Sequence, residues 1–126
     1  FALRVNRRAG KVVFAAAGHP PALFIPKDGS PRLAERENPF IGMLDDSSYE
    51  ATSLDVAEGD RFILYTDGLI EGGGDDKASW TDAKGGLVTV AERLRGLPLE
   101  ELPLAFVKAM GADKADDDVA VLAVEI

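Results

Sequence analysis

Apolar and polar residues alternate through the first part of the chain, which is the pattern of half-buried β-strands. Phe1, Leu3 and Val5 are each separated by one residue, and successive side chains of a strand point to opposite faces. Gly10 follows in a turn, so residues 11–17 are predicted to return as an antiparallel strand. A long surface connection is expected over 31–48, and further strands are predicted at 22–25, 49–56, 61–66 and 119–124. The segment 119–124 is almost continuously apolar, which predicts a strand buried on both faces.

Two later segments have the spacing of amphipathic helices instead. Each places apolar residues three and four positions apart and ends near a glycine, Gly96 or Gly111, as helices commonly do. Pro103 is compatible with the second helix only in its first turn. The two apolar stripes are Leu87, Val90, Ala91 and Leu94, and then Leu102, Phe106, Val107 and Met110. The predicted fold class is therefore α+β, with mostly antiparallel strands and two late helices.

Composition narrows the chemistry of any site. The 126 residues are 46% hydrophobic and 29% charged, enough to form one packed domain. The absence of cysteine excludes disulfides and thiolate chemistry, and it fits a reducing, cytoplasmic location. With a single histidine, any metal must be held mainly by carboxylates, as Mg²⁺ and Mn²⁺ are. The formal net charge of −8 argues against a nucleic-acid partner, and no apolar run approaches the roughly 20 residues of a membrane-spanning helix.

Asp67 is the strongest local candidate for a metal ligand. It follows the apolar strand predicted at 61–66 and precedes Gly68, which lets the backbone turn sharply. A carboxylate at the end of a buried strand has the stiff support that a metal ligand needs. The alternative is an aspartate that opens a turn through its own side-chain hydrogen bond. From these residues alone both interpretations stay open.

Three further carboxylates, Asp116, Asp117 and Asp118, stand directly before the last predicted strand. Adjacent carboxylates repel one another unless they are solvated or bind a cation. Because side chains alternate along an extended chain, one or two of the three at most can face a common site. An acidic loop that merely precedes a strand remains the alternative.

His19 and a glycine-rich segment complete the candidates. His19 lies between Gly18 and Pro20, so its ring is either held out at a site or belongs to an ordinary turn. Residues 72–77, GGGDDK, lack the ending of a phosphate-binding loop and the spacing of an EF-hand, and they are expected to form a flexible tip.

Together these segments carry a resemblance to a known family. AAAGHPPALF at 15–24, PFIGM at 39–43, EGDRFILYTDGLIE at 58–71 and DDVAVLAV at 117–124 follow one another along the chain. In this order and rough spacing they resemble bacterial serine phosphatases of the SpoIIE/RsbU type. These enzymes belong to the metal-dependent PPM, or type-2C, protein phosphatases. The resemblance extends over nearly the whole chain.

The resemblance implies an α/β/β/α sandwich of antiparallel sheets flanked by helices, with two Mn²⁺ or Mg²⁺ ions at one end. Asp67 matches the family's TDG aspartate and Asp117 the first aspartate of the later motif, both of which bind the same metal. Asp118 is expected to lie just behind the ligands, and His19 is a candidate substrate-binding residue. Such a site activates a water for hydrolysis of a phosphate ester.

The sequence also departs from the family pattern. The family's earlier motif, with an aspartate that bridges both metals, has no counterpart here, since Asp60 leads into Arg61. Residues 1–126 are therefore expected to be the C-terminal portion of one phosphatase domain, incomplete at the N-terminus. Sheet edges left open would pair with the absent part or with a second copy in a homodimer.

Two functions follow as hypotheses. In the first, the parent protein is a signalling phosphatase acting on phosphoserine or phosphothreonine of a regulatory protein, such as an anti-sigma-factor antagonist. In the second, the chain belongs to a non-catalytic phosphatase-like module that binds a protein partner.

Overall fold

The computed structural model describes residues 1–36, 38–71, 80–115 and 117–126, with the backbone alone at 80–83. Within these ranges the strands and helices follow each other along the chain in one α+β unit. The strands are β1 (Ala2–Asn6), β2 (Lys11–Ala15), β3 (Ala22–Ile25), β4 (Arg32–Ala34), β5 (Thr52–Asp55), β6 (Arg61–Tyr65) and β7 (Val121–Glu125). The helices are α1 (Gly68–Glu71), α2 (Trp80–Leu94) and α3 (Leu102–Ala109), with short 3-10 turns at Arg7–Ala9, Leu99–Glu101 and Ala112–Lys114.

The strands form two antiparallel sheets. Sheet 1 has the order β1-β2-β5, and sheet 2 has the order β4-β3-β6-β7. Gly10 makes the first hairpin possible, because its φ of 59° lies in the left-handed region that glycine adopts at no steric cost. In sheet 2 the register pairs Tyr65 with Val121, so the end of β6 lies beside the start of β7.

The two faces of sheet 2 bury different partners. Toward sheet 1, Val12, Phe24 and Phe62 form one buried cluster, in which the two phenylalanine rings lie 4.8 Å apart. On the opposite face, Leu87 of α2 and Phe106 of α3 are fully buried in a cluster that also contains the β-strand residues Leu23, Ile25, Ile63 and Tyr65. Burying one such side chain contributes about 1.5–3 kcal/mol. The described residues therefore form three layers: sheet 1, sheet 2 and helices.

The prediction that the last strand is buried on both faces is wrong. β7 pairs with β6 and has no second partner strand within the described ranges, and Leu122 is 58% exposed. A continuous apolar run shows that a strand has two apolar faces, but it does not show whether the strand is central or at an edge.

The remaining predictions are refined in their bounds. The connection predicted over 31–48 contains a short strand, β4, and the strand predicted at 49–56 is reduced to β5. α3 has Pro103 in its first turn, as predicted, and α2 begins earlier than the apolar stripe alone indicated. The segment 72–77 and Asp116 lie outside the described residues. No helix in the described ranges is both long and apolar enough to cross a membrane.

Candidate active site at the joined ends of two strands

Asp67 sits in the turn between β6 and α1, with its side chain exposed. Its backbone carbonyl oxygen accepts hydrogen bonds from Ile70 N at 2.8 Å and Glu71 N at 3.0 Å, which close the first turn of α1. The alternative interpretation requires the Asp67 side chain to accept from Leu69 N, two residues on, but Leu69 N donates to the Thr66 carbonyl oxygen at 3.0 Å. The backbone of Asp67 is thus held in a well-supported turn, and its side chain is exposed.

Thr66 joins this turn to the segment before β7. Its hydroxyl donates to the Asp118 carbonyl oxygen at 2.9 Å and accepts from Ala120 N at 2.9 Å. Its backbone N–H donates to the Ala120 carbonyl oxygen at 3.0 Å. These three bonds continue the pairing of β6 with β7 beyond the last paired residues, Tyr65 and Val121. In two of them the Thr66 hydroxyl takes the place of a backbone group.

Gly68 allows the two segments to approach closely. A Cβ atom at this position would lie 2.8 Å from the Asp118 carbonyl oxygen and 3.3 Å from Val119 Cγ2. Contacts below 3.0 Å are essentially never made by real Cβ atoms. Hence no residue but glycine fits here without displacing the chain, and the segments of Asp67 and Asp118 share one end of sheet 2.

Asp117 and Asp118 are both exposed on this end. One carboxylate oxygen of Asp117, Oδ1, accepts a hydrogen bond from Asp118 N at 2.8 Å. This local bond fixes the orientation of the Asp117 side chain and leaves its second oxygen, Oδ2, for another partner. The sequence-based prediction placed Asp67 and Asp117 together, and the structure brings their backbone segments side by side.

A cleft of about 540 Å³ opens next to Asp67. It is bounded by the segment before β3, the segment after β4, the start of α1 and one residue of α2. Its lining residues are Ala16, Gly18, His19, Pro20, Pro21, Glu35, Arg36, Asn38, Phe40, Asp67, Glu71 and Lys84. The structure therefore places His19 and Asp67 on one cleft, while Asp117 and Asp118 do not line it.

The orientation of His19 follows from its contacts. Nδ1 lies 2.7 Å from the Pro20 carbonyl oxygen, and since a carbonyl oxygen only accepts, Nδ1 is assigned as the protonated nitrogen. The ring of Phe1 lies 5.2 Å from the imidazole ring in a tilted arrangement. The half-buried ring is thus held on one side, and Nε2 is the nitrogen left for a ligand.

Four charged residues of the cleft were missed by the sequence reasoning. Lys84 Nζ pairs with Glu35 Oε1 at 3.0 Å, and Arg36 pairs with Glu50. Glu71 also lines the cleft, four residues after Asp67 in the turn that becomes α1. That spacing was the available signal for Glu71, because residues four apart share a helix face. For Glu35, Arg36 and Lys84 no local pattern distinguishes them from ordinary surface charges.

The candidate ligands are of the chemical type that binds a hard divalent cation, but they are too few to complete its coordination shell. Asp67 and Asp117 offer exposed carboxylate oxygens, the ligands that Mg²⁺ and Mn²⁺ favour. Among the described residues, no group of three or more His, Asp or Glu side chains is close enough to hold a metal. Such ions take about six ligands, of which several are waters. The pair therefore fits as a partial ligand set.

Comparison with known proteins shows to which family this chain is similar. The family model described as Stage II sporulation protein E (SpoIIE) matches residues 1–126. The phosphoserine phosphatase RsbP of Bacillus subtilis is 35% identical over 69 residues, which are 55% of this chain and 17% of RsbP.

Solved structures share the fold. The RsbU and RsbW domains of Rv1364c from Mycobacterium tuberculosis superpose with a TM-score of 0.77 at 26% identity, over 92% of this chain and 33% of that one. The manganese-presoaked phosphatase domain of SpoIIE from Bacillus subtilis gives a TM-score of 0.68 at 18% identity, over 99% of this chain and 55% of that domain. The chain thus spans between about a sixth and about half of the lengths of these proteins.

Proposed function

This chain belongs to the SpoIIE family of PP2C-type serine/threonine phosphatases, and we propose that it forms the C-terminal portion of a catalytic phosphatase domain. The parent protein would hydrolyse phosphoserine or phosphothreonine on a regulatory protein, with an anti-sigma-factor antagonist as the expected class of substrate. The observation that carries the proposal is the contact between Gly68 and the Asp118 carbonyl. This close approach brings together the backbone segments that carry Asp67 and Asp117, the two proposed ligands, and in that way supports the proposal.

In this proposal Asp67 and Asp117 hold one divalent metal. Both carboxylates are exposed. A backbone N–H orients the Asp117 carboxylate, whereas for Asp67 it is the backbone of the turn that hydrogen bonds support. Asp118 follows Asp117, is also exposed, and is proposed to orient water behind the metal ligands. When bound, Mn²⁺ or Mg²⁺ supplies a water of lowered pKa and neutralises charge on the phosphoryl group.

His19 is proposed to bind the substrate in the cleft. With Nδ1–H held by the Pro20 carbonyl, Nε2 is presented to the ligand. The neutral ring accepts a hydrogen bond at Nε2, and the protonated ring donates one from the same atom to a phosphoryl oxygen. The position of His19 beside Asp67 on one cleft supports this role.

Open sheet edges support the proposal that the domain continues outside these residues. Leu122 of β7 pairs with Leu64 of β6, so the two side chains share the face that packs toward sheet 1. Leu64 contacts the buried cluster between the sheets, whereas Leu122 is exposed. An apolar side chain on an inner face, next to a strand with no second partner among the described residues, is the position where a further strand would pack. Such a strand would come from the parent protein or from a second copy.

The test is release of phosphate by the full-length parent protein from a serine-phosphorylated antagonist protein, with and without Mn²⁺. We expect Mn²⁺-dependent turnover that falls at least 100-fold in Asp67→Asn and in Asp117→Asn. Asp28→Asn is the matched control, because Asp28 is an exposed carboxylate in the β3–β4 turn, at the end of β3 away from the cleft. Undiminished turnover in Asp67→Asn would show that the ligand assignment is wrong.

A second measurement separates the catalytic from the non-catalytic hypothesis. Residues 1–126 alone are expected to bind Mn²⁺ weakly, with Asp117→Ala as the control, and to hydrolyse p-nitrophenyl phosphate poorly. If the full-length protein binds a phosphoprotein but never releases phosphate, the partner-binding module is the correct function. Robust turnover by residues 1–126 that is abolished by Asp67→Asn would contradict the partial site.

A further inference from the structure

The segment between β4 and β5 displays an apolar surface beside the cleft. We call residues 39–49 the cleft loop. Phe40, Ile41, Met43 and Leu44 are between 58% and 82% exposed. Single exposed apolar side chains are ordinary, but a contiguous group of large ones marks a contact surface. The cleft loop therefore has the composition of an interaction site.

The cleft loop is tied at its base. The Asn38 amide donates to the carbonyl oxygens of Ala16 and Glu50, at 2.9 and 3.1 Å, and its own oxygen accepts from Glu50 N at 2.9 Å. The Tyr49 hydroxyl donates to the Phe40 carbonyl oxygen at 3.2 Å, and Glu50 pairs with Arg36. These bonds join the two ends of the loop across its neck. A pre-ordered loop loses less conformational entropy when it binds.

The cleft loop is continuous with the candidate active site. The Phe40 ring lies against Gly18, where a Cβ atom would come within 2.1 Å of Phe40 Cδ1. Phe40 lines the same cleft as His19 and Asp67. Its ring is thus a wall of the cleft, and the next residues of the loop form the adjoining rim.

We propose that the cleft loop docks the folded phosphoprotein substrate next to its phosphorylated residue. The proposal rests on the proposed phosphatase function and adds the surface that selects a protein over a small phosphate ester. Continuity with the cleft favours the substrate as the occupant, because a phosphoserine side chain that enters the cleft brings its own protein surface onto the rim. Asp45 and Asp46 are exposed in the same loop. The complementary patch on the substrate is therefore apolar with a basic residue at its edge.

The experiment compares two substrates on the full-length protein with Mn²⁺. Turnover of p-nitrophenyl phosphate depends on the cleft alone, whereas turnover of the serine-phosphorylated antagonist protein depends on both the cleft and the cleft loop. For the double variant Ile41→Ser/Met43→Ser, we expect the ratio of kcat/KM for the phosphoprotein to kcat/KM for p-nitrophenyl phosphate to fall about tenfold. The fall should come through KM, because the lost contacts serve binding. Leu104→Ser is the matched control, since Leu104 on α3 is 59% exposed and does not line the cleft.

Other outcomes overturn the proposal. An unchanged ratio excludes the substrate as the occupant. If the ratio is unchanged and the Tm of the variant is lower, another part of the same protein covers the cleft loop. If the ratio is unchanged and the sedimentation coefficient changes, a second copy of the protein covers it. Turnover of p-nitrophenyl phosphate without turnover of any phosphoserine protein also refutes it. The proposed function is tested separately by Asp67→Asn, whose Mn²⁺-dependent turnover of p-nitrophenyl phosphate does not depend on the rim.

Discussion

Gly68→Ala is the substitution that most directly tests how the two strand ends are joined. The added methyl group would lie 2.8 Å from the Asp118 carbonyl oxygen and 3.2 Å from its carbonyl carbon. Because the obstacle is backbone, it cannot rotate away as a flexible side chain would. Relief requires the turn after β6 and the segment before β7 to move apart.

The expected cost has two opposing parts. Replacing glycine by alanine in a helix ordinarily stabilises it by about 0.5–1 kcal/mol. Forcing a methyl group into a packed contact costs about 1–3 kcal/mol, and the same displacement weakens the bond from the Thr66 hydroxyl to the Asp118 carbonyl oxygen, worth about 1 kcal/mol. With the middle of each range, and with the Thr66 bond weakened rather than lost, the sum predicts a net destabilisation of about 1–2 kcal/mol.

Urea denaturation followed by circular dichroism measures this change. With a slope of about 2 kcal/mol per molar urea, the midpoint should fall by about 0.5–1 M. Gly85→Ala and Gly86→Ala are the matched controls, because both glycines lie inside α2 and a Cβ atom at either would meet nothing within 4 Å. These two variants should be more stable than the wild type by about 0.5–1 kcal/mol each.

The reasoning predicts changes of opposite sign in the free energy of unfolding: Gly68→Ala should lower it, whereas Gly85→Ala and Gly86→Ala should raise it. If Gly68→Ala is as stable as the two control variants, the close approach of Gly68 to Asp118 does not govern this end of the sheet. The Mn²⁺ affinity gives a second readout, since separation of the two segments should weaken any site that needs both Asp67 and Asp117. Unchanged stability together with unchanged Mn²⁺ affinity would refute the argument.

Three further substitutions test side chains that are buried or hydrogen-bonded to the backbone, by thermal and chemical unfolding. Tyr65→Phe should leave the free energy of unfolding unchanged or raise it by at most about 1 kcal/mol, because it removes a buried hydroxyl that has no hydrogen-bond partner among the described residues. Burial raises the pKa of this hydroxyl, and the nearby Glu35 carboxylate raises it further; a clear fall in Tm would show that the hydroxyl has a partner. Asp60→Asn should cost about 2–3 kcal/mol, because the Asp60 carboxylate accepts from Lys27 N and Ala57 N at 2.8 Å each and an amide can accept only one of these bonds; an unchanged midpoint would contradict this. Arg95→Lys should lower the free energy of unfolding by about 1–2 kcal/mol, because an ammonium group cannot span the carbonyl oxygens of Pro26, Lys27 and Gly29 as the guanidinium does. Equal stability of the variant and the wild type would show that water replaces these bonds.

Local pattern predicted most elements because each element depends mainly on its own residues. Alternation found β1 and β2, and the helical stripes found α2 and α3. Position within a sheet depends on the whole topology instead, which is why β7 was predicted to be buried on both faces although, in the part of the chain that the structure describes, it ends its sheet. The short strand β4 was missed because three residues are too few to show a period.

The candidate site divides in the same way. Asp67 and His19 could be selected from sequence because each stands in a short motif that restricts the backbone. Glu35, Arg36 and Lys84 could not, since they reach the cleft from a connection and from a helix far along the chain, and ion pairs between them and their partners form only in the folded protein. Their spacing along the chain carries no information about this proximity.

In the motif around Asp67, the groups that hold the fold together differ from the carboxylate that is proposed to bind the metal. Thr66 and Gly68 join the strand ends through a hydroxyl and through the absence of a side chain, and the Asp67 backbone carbonyl closes the turn. The Asp67 carboxylate takes no part in these contacts. Since the fold at this point does not depend on the carboxylate, Asp67→Asn should unfold at the same urea concentration as the wild type. A loss of turnover in that variant can then be assigned to the missing charge, whereas the same loss in Gly68→Ala reflects displaced strands.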